Sequence, residues 1–421
     1  MIRESTMLRF GYSDDPAPRR SHQNPHRLLR TENHMNPISD ELLNRVRIRL
    51  ADTPTPHTPE VIVDLVRSES GGVLGDYDIL NALRTLHTEL NGAGPLDDLL
   101  ADRLVTDVFV NSPNDVWIDR GRGNEKTNIR FADEAAVRRL AQRLASAAGR
   151  RLDEAQPWID GWLPHIGSPH IGVRLHALLS PLAADGTCIS LRVLRPASHT
   201  LEDLLTAGMF PPELMGVLDG IVQSRLSYLI TGGTGTGKTT LLSALLGRVP
   251  HTERIVCVED VNELSPRHPH VVRMSTRAAN IEGVGEINLR ALVRHALRMK
   301  PDRLIVGEVR GAEVIDLLAA LNTGHEGGAG TLHANSPAEV PARMEALAAL
   351  GAMGRDALHS QLKAAVQVVL HVRKTGTRRL LADIGIVDFN ASGHITVSPA
   401  WSHKTGQGPA WETLLSQIGR S

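Results

Sequence analysis

The chain has 421 residues, a length that fits two or three domains. Hydrophobic residues make up 41% and charged residues 22%, which argues against a wholly disordered chain. Basic and acidic residues number 46 and 47, and aromatic residues only 3%, so neither a basic surface nor base-stacking side chains predict direct nucleic-acid binding. Cys188 and Cys257 lie too far apart in sequence for a zinc motif and fit a reducing cytosol.

The first part of the chain mixes helical and strand patterns. Residues 1–36 are polar and aperiodic, and they predict a disordered arm or an over-long start whose true beginning is Met35. We expect neither a membrane span nor a secretory signal, because no long apolar run occurs. Residues 37–198 predict a mixed α/β domain. Its predicted helices are 39–50 (capped by Ser39), 59–67, 77–90 and 134–148, and its predicted strands are 105–111, 115–119, 171–178 and 187–194.

After a linker at 197–200, short apolar strands alternate with helices. This alternation predicts a parallel sheet with helices on both faces over residues 199–390. Residues 391–421 predict an irregular, loosely attached tail. The predicted strands are 228–231, 255–259, 304–309, 366–372 and 380–387, and the predicted helices are 238–247, 287–299 and 311–321.

A glycine-rich motif connects the strand 228–231 to the helix 238–247. Its pattern, G-x-x-x-x-G-K-[ST], is typical of phosphate-binding loops, where backbone N–H groups and the helix N-terminus bind phosphate oxygens. Lys238 would bridge the outer phosphates, and the Thr239 hydroxyl would ligate magnesium. The predicted nucleotide-binding residues are Gly232, Gly233, Thr234, Gly235, Thr236, Gly237, Lys238, Thr239 and Thr240.

Acidic residues follow two of the predicted parallel strands. Glu259 and Asp260 end one strand, with Glu263 three residues on, and Glu308 ends another. Ligands of open α/β sheets bind at the carboxyl ends of strands, where a carboxylate can orient an attacking water or hold a magnesium-bound water. Glu308 stands where many phosphate-loop enzymes have Asp, and ordinary solvated acids are the alternative interpretation.

Histidines and arginines supply further candidates. His325, Glu326 and His333 match no zinc spacing, so a γ-phosphate sensor or a structural histidine is the better interpretation. Arg174 and Arg192 lie at or near predicted strands in an otherwise apolar stretch, and Arg192 alternates with apolar residues. They suit either phosphate contact or plain surface ion pairs.

The chain resembles the secretion ATPases of type II and type IV systems, in particular the CpaF/TadA branch of tight-adherence (Flp) pili, with its actinobacterial, conjugal-transfer-associated members. The resemblance covers roughly residues 75–390. Its carrying segments are ITGGTGTGKTTLL, VEDVNEL, GVRLHALLSPLAADGTCISLRVLRP and LRMKPDRLIVGEVRGAEVIDLLAALNTGHEGGAGTLHANSP. One departure is Gly328-Ala329-Gly330, where relatives often have bulkier residues.

The resemblance implies roles for these residues. Glu263 would activate water, and Glu308 would be the Walker B glutamate near magnesium. His325 and His333 would form a histidine box, in which one histidine reaches towards the γ-phosphate. Arg174 and Arg192 would contact nucleotide phosphates from the first domain.

The resemblance also implies a RecA-like P-loop ATPase domain preceded by a mixed α/β domain. ATP and Mg²⁺ would be the cofactors. We expect a cytoplasmic homo-hexameric ring, held at the inner face of the cell membrane by platform proteins, that powers pilus assembly or protein secretion. The alternatives are an ATPase for conjugal DNA transfer, a P-loop small-molecule kinase, and a nucleotide-binding scaffold without turnover.

Overall fold

The computed structural model describes residues 40–51, 59–72, 74–164, 172–277, 279 and 284–419. The chain divides into two compact units, residues 1–84 and 85–421. The predicted arm 1–36, the alternative start at Met35 and the cap Ser39 lie outside the described residues. The predicted domain boundary at 198 stays a prediction.

The first unit is helical where the structure describes it. Apolar side chains at helical spacing, Leu43 and Val46 in one helix and Ile62 and Val66 in the next, are buried. This is the burial expected of amphipathic helices that pack on each other. The helices are α1 (Asp40–Ala51), α2 (Pro59–Glu69) and α3 (Asp76–Asn91), which begins in the first unit and ends in the second.

The second unit begins with a sheet that is six-stranded among the described residues. All its strand pairs are antiparallel, in the order β3-β2-β1-β6-β5-β4. The helix α5 is capped by Asp133, whose carboxylate accepts a hydrogen bond from the Ala136 N–H over 2.7 Å. The elements are α4 (Asp97–Ala101), β1 (Asp107–Ser112), β2 (Asp115–Asp119), β3 (Asn124–Lys126), α5 (Glu134–Ala147), β4 (Trp158–Pro164), β5 (Gly172–Leu178) and β6 (Cys188–Leu194).

A second sheet follows, nine-stranded within the described ranges. Its order is β15-β14-β13-β12-β7-β11-β10-β8-β9. Its strands are β7 (Tyr228–Thr231), β8 (Ile255–Glu259), β9 (Val271–Ser275), β10 (Arg303–Val309), β11 (Ala329–Leu332), β12 (Val368–Thr375), β13 (Arg378–Phe389), β14 (Ile395–Ser402) and β15 (Gly406–Gln407). Its helices are α6 (Leu201–Thr206), α7 (Met215–Gln223), α8 (Lys238–Leu246), α9 (Leu289–Leu297), α10 (Glu313–Leu321), α11 (Val340–Ala349), α12 (Arg355–Ala365) and α13 (Trp411–Ile418).

The six strands from β12 to β9 in this order are parallel, which places the carboxyl ends of β7, β8, β10 and β11 at one edge. The helices α8 and α10 pack into two different apolar clusters: Leu241 of α8 belongs to one, and Leu317 of α10 belongs to the other. The architecture confirms the predicted mixed α/β domain followed by a RecA-like domain. No helix in the described ranges is long and apolar enough to cross a membrane.

The prediction of an irregular tail at 391–421 is wrong. The strand β14 pairs with β13 in antiparallel register, and Leu414 of α13 is fully buried. This strand was not predicted because it contains Pro399, and proline is rare inside paired strands. The pairing shifts beside Pro399: Ile384 pairs with Trp401 and Gly385 pairs with Pro399, so Ala400 is an extra residue in β14. Such bulges are where strands tolerate proline.

The linker between the two sheets lies against the helix and loop that follow β7 and β8. The main-chain N–H of Ala197 donates to the carbonyl oxygen of Glu263 over 3.1 Å, and the Ser243 hydroxyl of α8 donates to the carbonyl oxygen of Ala197. The linker ends where Thr200 and Asp203 form a capping box at the start of α6. One linker residue therefore contacts both the acidic loop after β8 and the helix α8.

Candidate functional site

The glycine-rich loop 232–237 lies between β7 and α8, as the motif predicts. Gly232 has φ +151° and Gly237 has φ +98°. A Cβ atom at Gly232 would lie 2.3 Å from the carbonyl oxygen of Val372, so no larger side chain fits there. The loop ends at the N-terminus of α8, whose first N–H groups have no partner within the helix. This is the arrangement that binds phosphate groups.

Lys238 is held at one end of this loop. Its side chain is 8% exposed, and Nζ donates to the carbonyl oxygens of Gly232 and Gly233 over 3.1 and 3.0 Å. Burial lowers the pKa of Lys238. A phosphate group at the loop would supply the negative charge that a buried ammonium group needs.

The threonines of the motif differ in their contacts. Thr236 is buried and its hydroxyl donates to the carbonyl oxygen of Gly233 over 2.9 Å, which supports the loop from within. The Thr239 hydroxyl donates to Oε2 of Glu263 over 3.4 Å. Thr234 is exposed and Thr240 is half-buried. Thr239 is therefore the motif threonine that contacts a carboxylate at the carboxyl edge of the sheet.

Glu259, which ends β8, and Glu263, in the loop that follows, have different surroundings. Oε1 of Glu259 accepts hydrogen bonds from the N–H groups of Glu263 and Leu264 over 3.2 and 3.0 Å. Oε2 of Glu259 has no partner, and burial raises the pKa of Glu259 to about 7. Burial also raises the pKa of Glu263, whose carboxylate faces Thr239. Glu259 thus supports the loop that carries Glu263.

Glu308, at the end of β10, is shared by a histidine and an arginine. Nε2 of His333 lies 2.5 Å from Oε1 of Glu308, in a contact that does not have hydrogen-bond geometry. Arg310 pairs with Oε2 of Glu308 and also with Asp260 over 3.3 Å. Arg310 therefore links the acidic residues that follow β8 and β10.

His333 follows β11 and lies beside Lys238. The distance between Nζ of Lys238 and Nδ1 of His333 is 3.5 Å. Burial and the charge of Lys238 lower the pKa of His333, so the neutral imidazole is favoured at pH 7. With Nδ1 facing an ammonium group and Nε2 facing Glu308, the contacts favour the tautomer that carries its proton on Nε2.

The structure does not bring His325 to this cluster. His325 precedes β11 and His333 follows it, so the whole strand separates the two residues. Nδ1 of His325 instead lies 3.2 Å from the carbonyl oxygen of Ala320, near the end of α10. The prediction that His325 binds the nucleotide has no support in this arrangement, because the residue lies at the amino edge of the sheet.

Arg174 and Arg192 are directly opposite each other in β5 and β6. Each has an acid partner on its own sheet: Nε of Arg174 lies 3.1 Å from Asp160, and Nε of Arg192 lies 2.9 Å from Asp107. The hydrogen bonds with Asp160 raise the pKa of Arg174, and the charge of Glu263 contributes. Arg192 in turn opposes the rise in the pKa of Glu263. The arginine pair and the acidic loop therefore act on each other across the two sheets.

A cleft of about 450 Å³ opens beside the loop. It is lined on one side by Gly232, Gly233 and His333, and on the other by α11. Glu339 at its wall accepts hydrogen bonds from the main-chain N–H and the side-chain amide of Asn335 over 3.0 and 3.1 Å. The cleft gives an outer phosphate room between the start of the loop and His333.

Two arginines at this site, Arg310 and Arg379, were not predicted from the sequence. Arg310 follows Glu308 by two residues, and the alternation of a strand that ends in E-x-R could have indicated it. Arg379, at the start of β13, donates from Nε to the carbonyl oxygen of Gly235 over 3.1 Å. No local pattern indicates Arg379, because more than a hundred residues separate it from the loop.

The sequence pattern of the family described as "Type II/IV secretion system protein" matches residues 89–382. The chain is 60% identical to "Putative conjugal transfer protein Rv3659c" of Mycobacterium tuberculosis (strain H37Rv) over 335 residues, which cover 79% of this chain and 95% of that protein. It is 28% identical to "Type IV secretion system protein VirB11" of Brucella suis over 323 residues, which cover 69% and 88%.

The crystal structure of the VirB11 ATPase from the Brucella suis type IV secretion system, in complex with sulphate, is 26% identical in sequence. It covers 72% of this chain and 96% of that chain, with a TM-score of 0.37. The family match spans most of the second compact unit, including the loop 232–237 and the residues around it. This chain therefore belongs to the type II/IV secretion system ATPase family, and it is an enzyme that binds and hydrolyses ATP.

Proposed function

We propose that this chain is the ATP-hydrolysing motor of a membrane platform that assembles pili or secretes protein, within the CpaF/TadA branch of the family. The observation that carries the proposal is the arrangement of Lys238, Glu263, Glu308 and His333 around one phosphate loop. The same site holds arginines from a separate sheet near its acids, as a machine that couples hydrolysis to domain movement requires.

In this proposal the N–H groups of the loop, which include that of Thr234, and those at the start of α8, which include that of Thr240, hold the phosphate chain, and Lys238 neutralises the outer phosphates. Glu263 orients the attacking water and accepts its proton. Burial raises the pKa of Glu263, which makes its carboxylate a stronger base than an exposed one. Glu259 holds the main chain of Glu263 through Oε1, so the base keeps its position.

His333 and Glu308 form the outer end of the site. The neutral His333 has one N–H group, on Nε2, which Glu308 faces in this structure. A rotation of the imidazole towards the loop would offer that N–H group to the γ-phosphate. His333 is consequently the histidine of the box that we place at the transferred phosphate.

Thr239 and Glu308 are the residues that would hold Mg²⁺. The donor types fit, since hydroxyl and carboxylate oxygens are ligands that Mg²⁺ accepts. In the described part of the chain, no group of three or more His, Cys, Asp or Glu side chains could hold a metal ion by itself, so phosphate oxygens and water would complete the shell. When bound, the ion would neutralise charge that develops on the phosphates.

Arg174 and Arg192 would stabilise the transferred phosphoryl group when the first sheet closes on the loop, or when a neighbouring subunit supplies them. Both side chains are partly exposed, 40% and 53%, and each ion pair is on the protein surface. Exposed ion pairs contribute little stability, so the arginines can exchange an aspartate for a phosphate group at small cost. We propose a homo-hexameric ring that attaches to its membrane platform at the cytoplasmic face.

Conjugal DNA transfer is the second candidate function, favoured by one observation: a 60% identical relative has conjugal transfer in its name. A Glu263→Gln allele in the source bacterium separates the two, with surface pili and the frequency of DNA transfer as readouts. We expect pili to be lost and DNA transfer to persist. The reverse result would favour the second candidate.

Phosphate release by the purified chain tests the remaining alternatives. A motor hydrolyses ATP without any small-molecule acceptor, whereas a kinase requires one and a scaffold releases no phosphate. We expect steady phosphate release from ATP and Mg²⁺ alone, and its loss in Lys238→Ala. A chain that releases no phosphate, but forms ADP and a phosphorylated metabolite once an acceptor is added, would be a kinase.

A further inference from the structure

Arg379 contacts the phosphate loop at Gly235, beyond the residues Gly232 and Gly233 that Lys238 contacts. Its Nε–H donates to the carbonyl oxygen of Gly235 over 3.1 Å. Its Cδ lies 3.2 Å from the position that a Cβ atom of Gly237 would occupy. The side chain therefore lies along the end of the loop from which α8 begins.

The rest of the Arg379 guanidinium is available. The side chain is exposed, and among the residues that the structure describes its two terminal nitrogens have no acceptor. By contrast Arg378, the preceding residue, is equally exposed but lies on the other face of β13, because successive side chains of a strand alternate. Only one of these adjacent arginines contacts the loop.

The contacts of Lys238 indicate which end of the loop faces the outer phosphates and which faces the inner ones. Its Nζ lies at Gly232 and Gly233, beside His333, and the lysine of such loops reaches the outer phosphates. Gly235 and Gly237 consequently lie towards the inner phosphates. A guanidinium group with two free nitrogens at that end matches the geometry of phosphate oxygens.

We propose that Arg379 is a nucleotide-binding residue that contacts the α-phosphate, the innermost phosphate, which ADP and ATP share. The inference rests on the proposed nucleotide site at the loop 232–237. The β-phosphate is the leaving group and gains negative charge when the outer phosphate is transferred, whereas the α-phosphate keeps its bonds and its charge. Arg379 therefore binds the ground state and the transition state equally, which affects affinity and leaves the chemical step unchanged.

The test compares Arg379→Ala with Arg378→Ala in the full-length chain. Binding of ADP and of a hydrolysis-resistant ATP analogue is measured by titration calorimetry, and steady-state kinetics give kcat and KM. Loss of a hydrogen bond to a charged group weakens binding about 10-fold to 100-fold. We expect Arg379→Ala to weaken both nucleotides by the same factor in this range, with kcat within about two-fold of the unsubstituted chain. Arg378→Ala should change neither quantity, and Arg379→Lys should restore part of the affinity, since it keeps the charge but not the planar group.

Lys238→Ala in the same titrations distinguishes an error in the proposed nucleotide site from an error in the assignment of Arg379. If Lys238→Ala leaves nucleotide affinity and turnover intact, the proposed site itself is wrong. If Lys238→Ala impairs them while Arg379→Ala binds ADP like Arg378→Ala, the site stands and the assignment of Arg379 is overturned. A loss of affinity for the ATP analogue alone would place Arg379 at the outer phosphate and would also contradict the proposal.

Discussion

Arg174 and Arg192 are register partners in neighbouring strands, and the acidic loop with Glu263 responds to their charge from the other sheet. Each arginine already has an aspartate partner, Asp160 or Asp107. The two interpretations that the sequence leaves open, phosphate contact and surface ion pair, are therefore compatible. The ion pair is the arrangement in this structure, and the phosphate contact is the arrangement that we propose during turnover.

Arg192→Ala should lower kcat by about a thousand-fold or more, the range measured for arginines that stabilise a transferred phosphoryl group. Affinity for ADP should change little, because Lys238 and the loop N–H groups remain. Arg138→Ala is a matched control, since Arg138 is also a partly exposed arginine with a single acid partner, Glu154. Equal kcat values for the two variants would make Arg192 an ordinary surface ion pair.

Lys238→Ala should reduce ATP turnover by about 10²-fold or more while the chain stays folded, because the ammonium group acts on phosphate charge. The nearby carboxylates of Glu308 and Glu263 keep Arg310 and Thr239 as partners when this buried cation is removed. Far-ultraviolet circular dichroism and phosphate release check the two halves of this prediction. Near-normal turnover in a folded Lys238→Ala variant would contradict the assignment of the loop 232–237 as the phosphate-binding site.

Glu259 predicts a pH dependence of stability. Its pKa is raised by burial from 4.5 to about 7, so the folded chain binds a proton that the unfolded chain has released between these values. The contribution to stability is complete below about pH 4.5 and is lost as the pH rises through about 7, by at most about 1.4 kcal/mol per pH unit. Glu259→Gln should remove this loss, since an amide oxygen can still accept from Glu263 and Leu264.

Urea unfolding at pH 5 and pH 8 measures this effect. We expect the free energy of unfolding to fall more between the two pH values in the unsubstituted chain than in Glu259→Gln. Identical changes in both proteins would show that Glu259 titrates normally.

The C-terminal helix α13 should be essential to the stability of the second unit. Leu414→Ala should cost about 2–4 kcal/mol of unfolding free energy, because the side chain is fully buried. Leu415→Ala is the matched control: Leu415 is 37% exposed, and its truncation should cost less than about 1 kcal/mol. Similar costs for the two variants would mean that α13 is not packed as described.

The sequence predicted the site best where a local pattern fixes the geometry. The loop 232–237 and the acids after β8 and β10 follow strands, and parallel strands bring their carboxyl ends together. The histidines show the limit: His325 and His333 lie eight residues apart in the chain, but only the structure shows that β11 separates them. Arg379 and Leu414 depend on contacts between distant parts of the chain, for which a single sequence has no periodic signal.

A comparison of Glu263 with Glu259 is the most direct test of the proposed catalytic site. We would measure phosphate release and ATP binding for Glu263→Gln and Glu259→Gln beside the unsubstituted chain. We expect Glu263→Gln to bind ATP and to release phosphate at least about 10²-fold more slowly, because it keeps the size of the side chain and removes the base. Glu259→Gln should retain turnover, since its main-chain contacts survive. An inactive Glu259→Gln beside an active Glu263→Gln would contradict the assignment of Glu263 as the base.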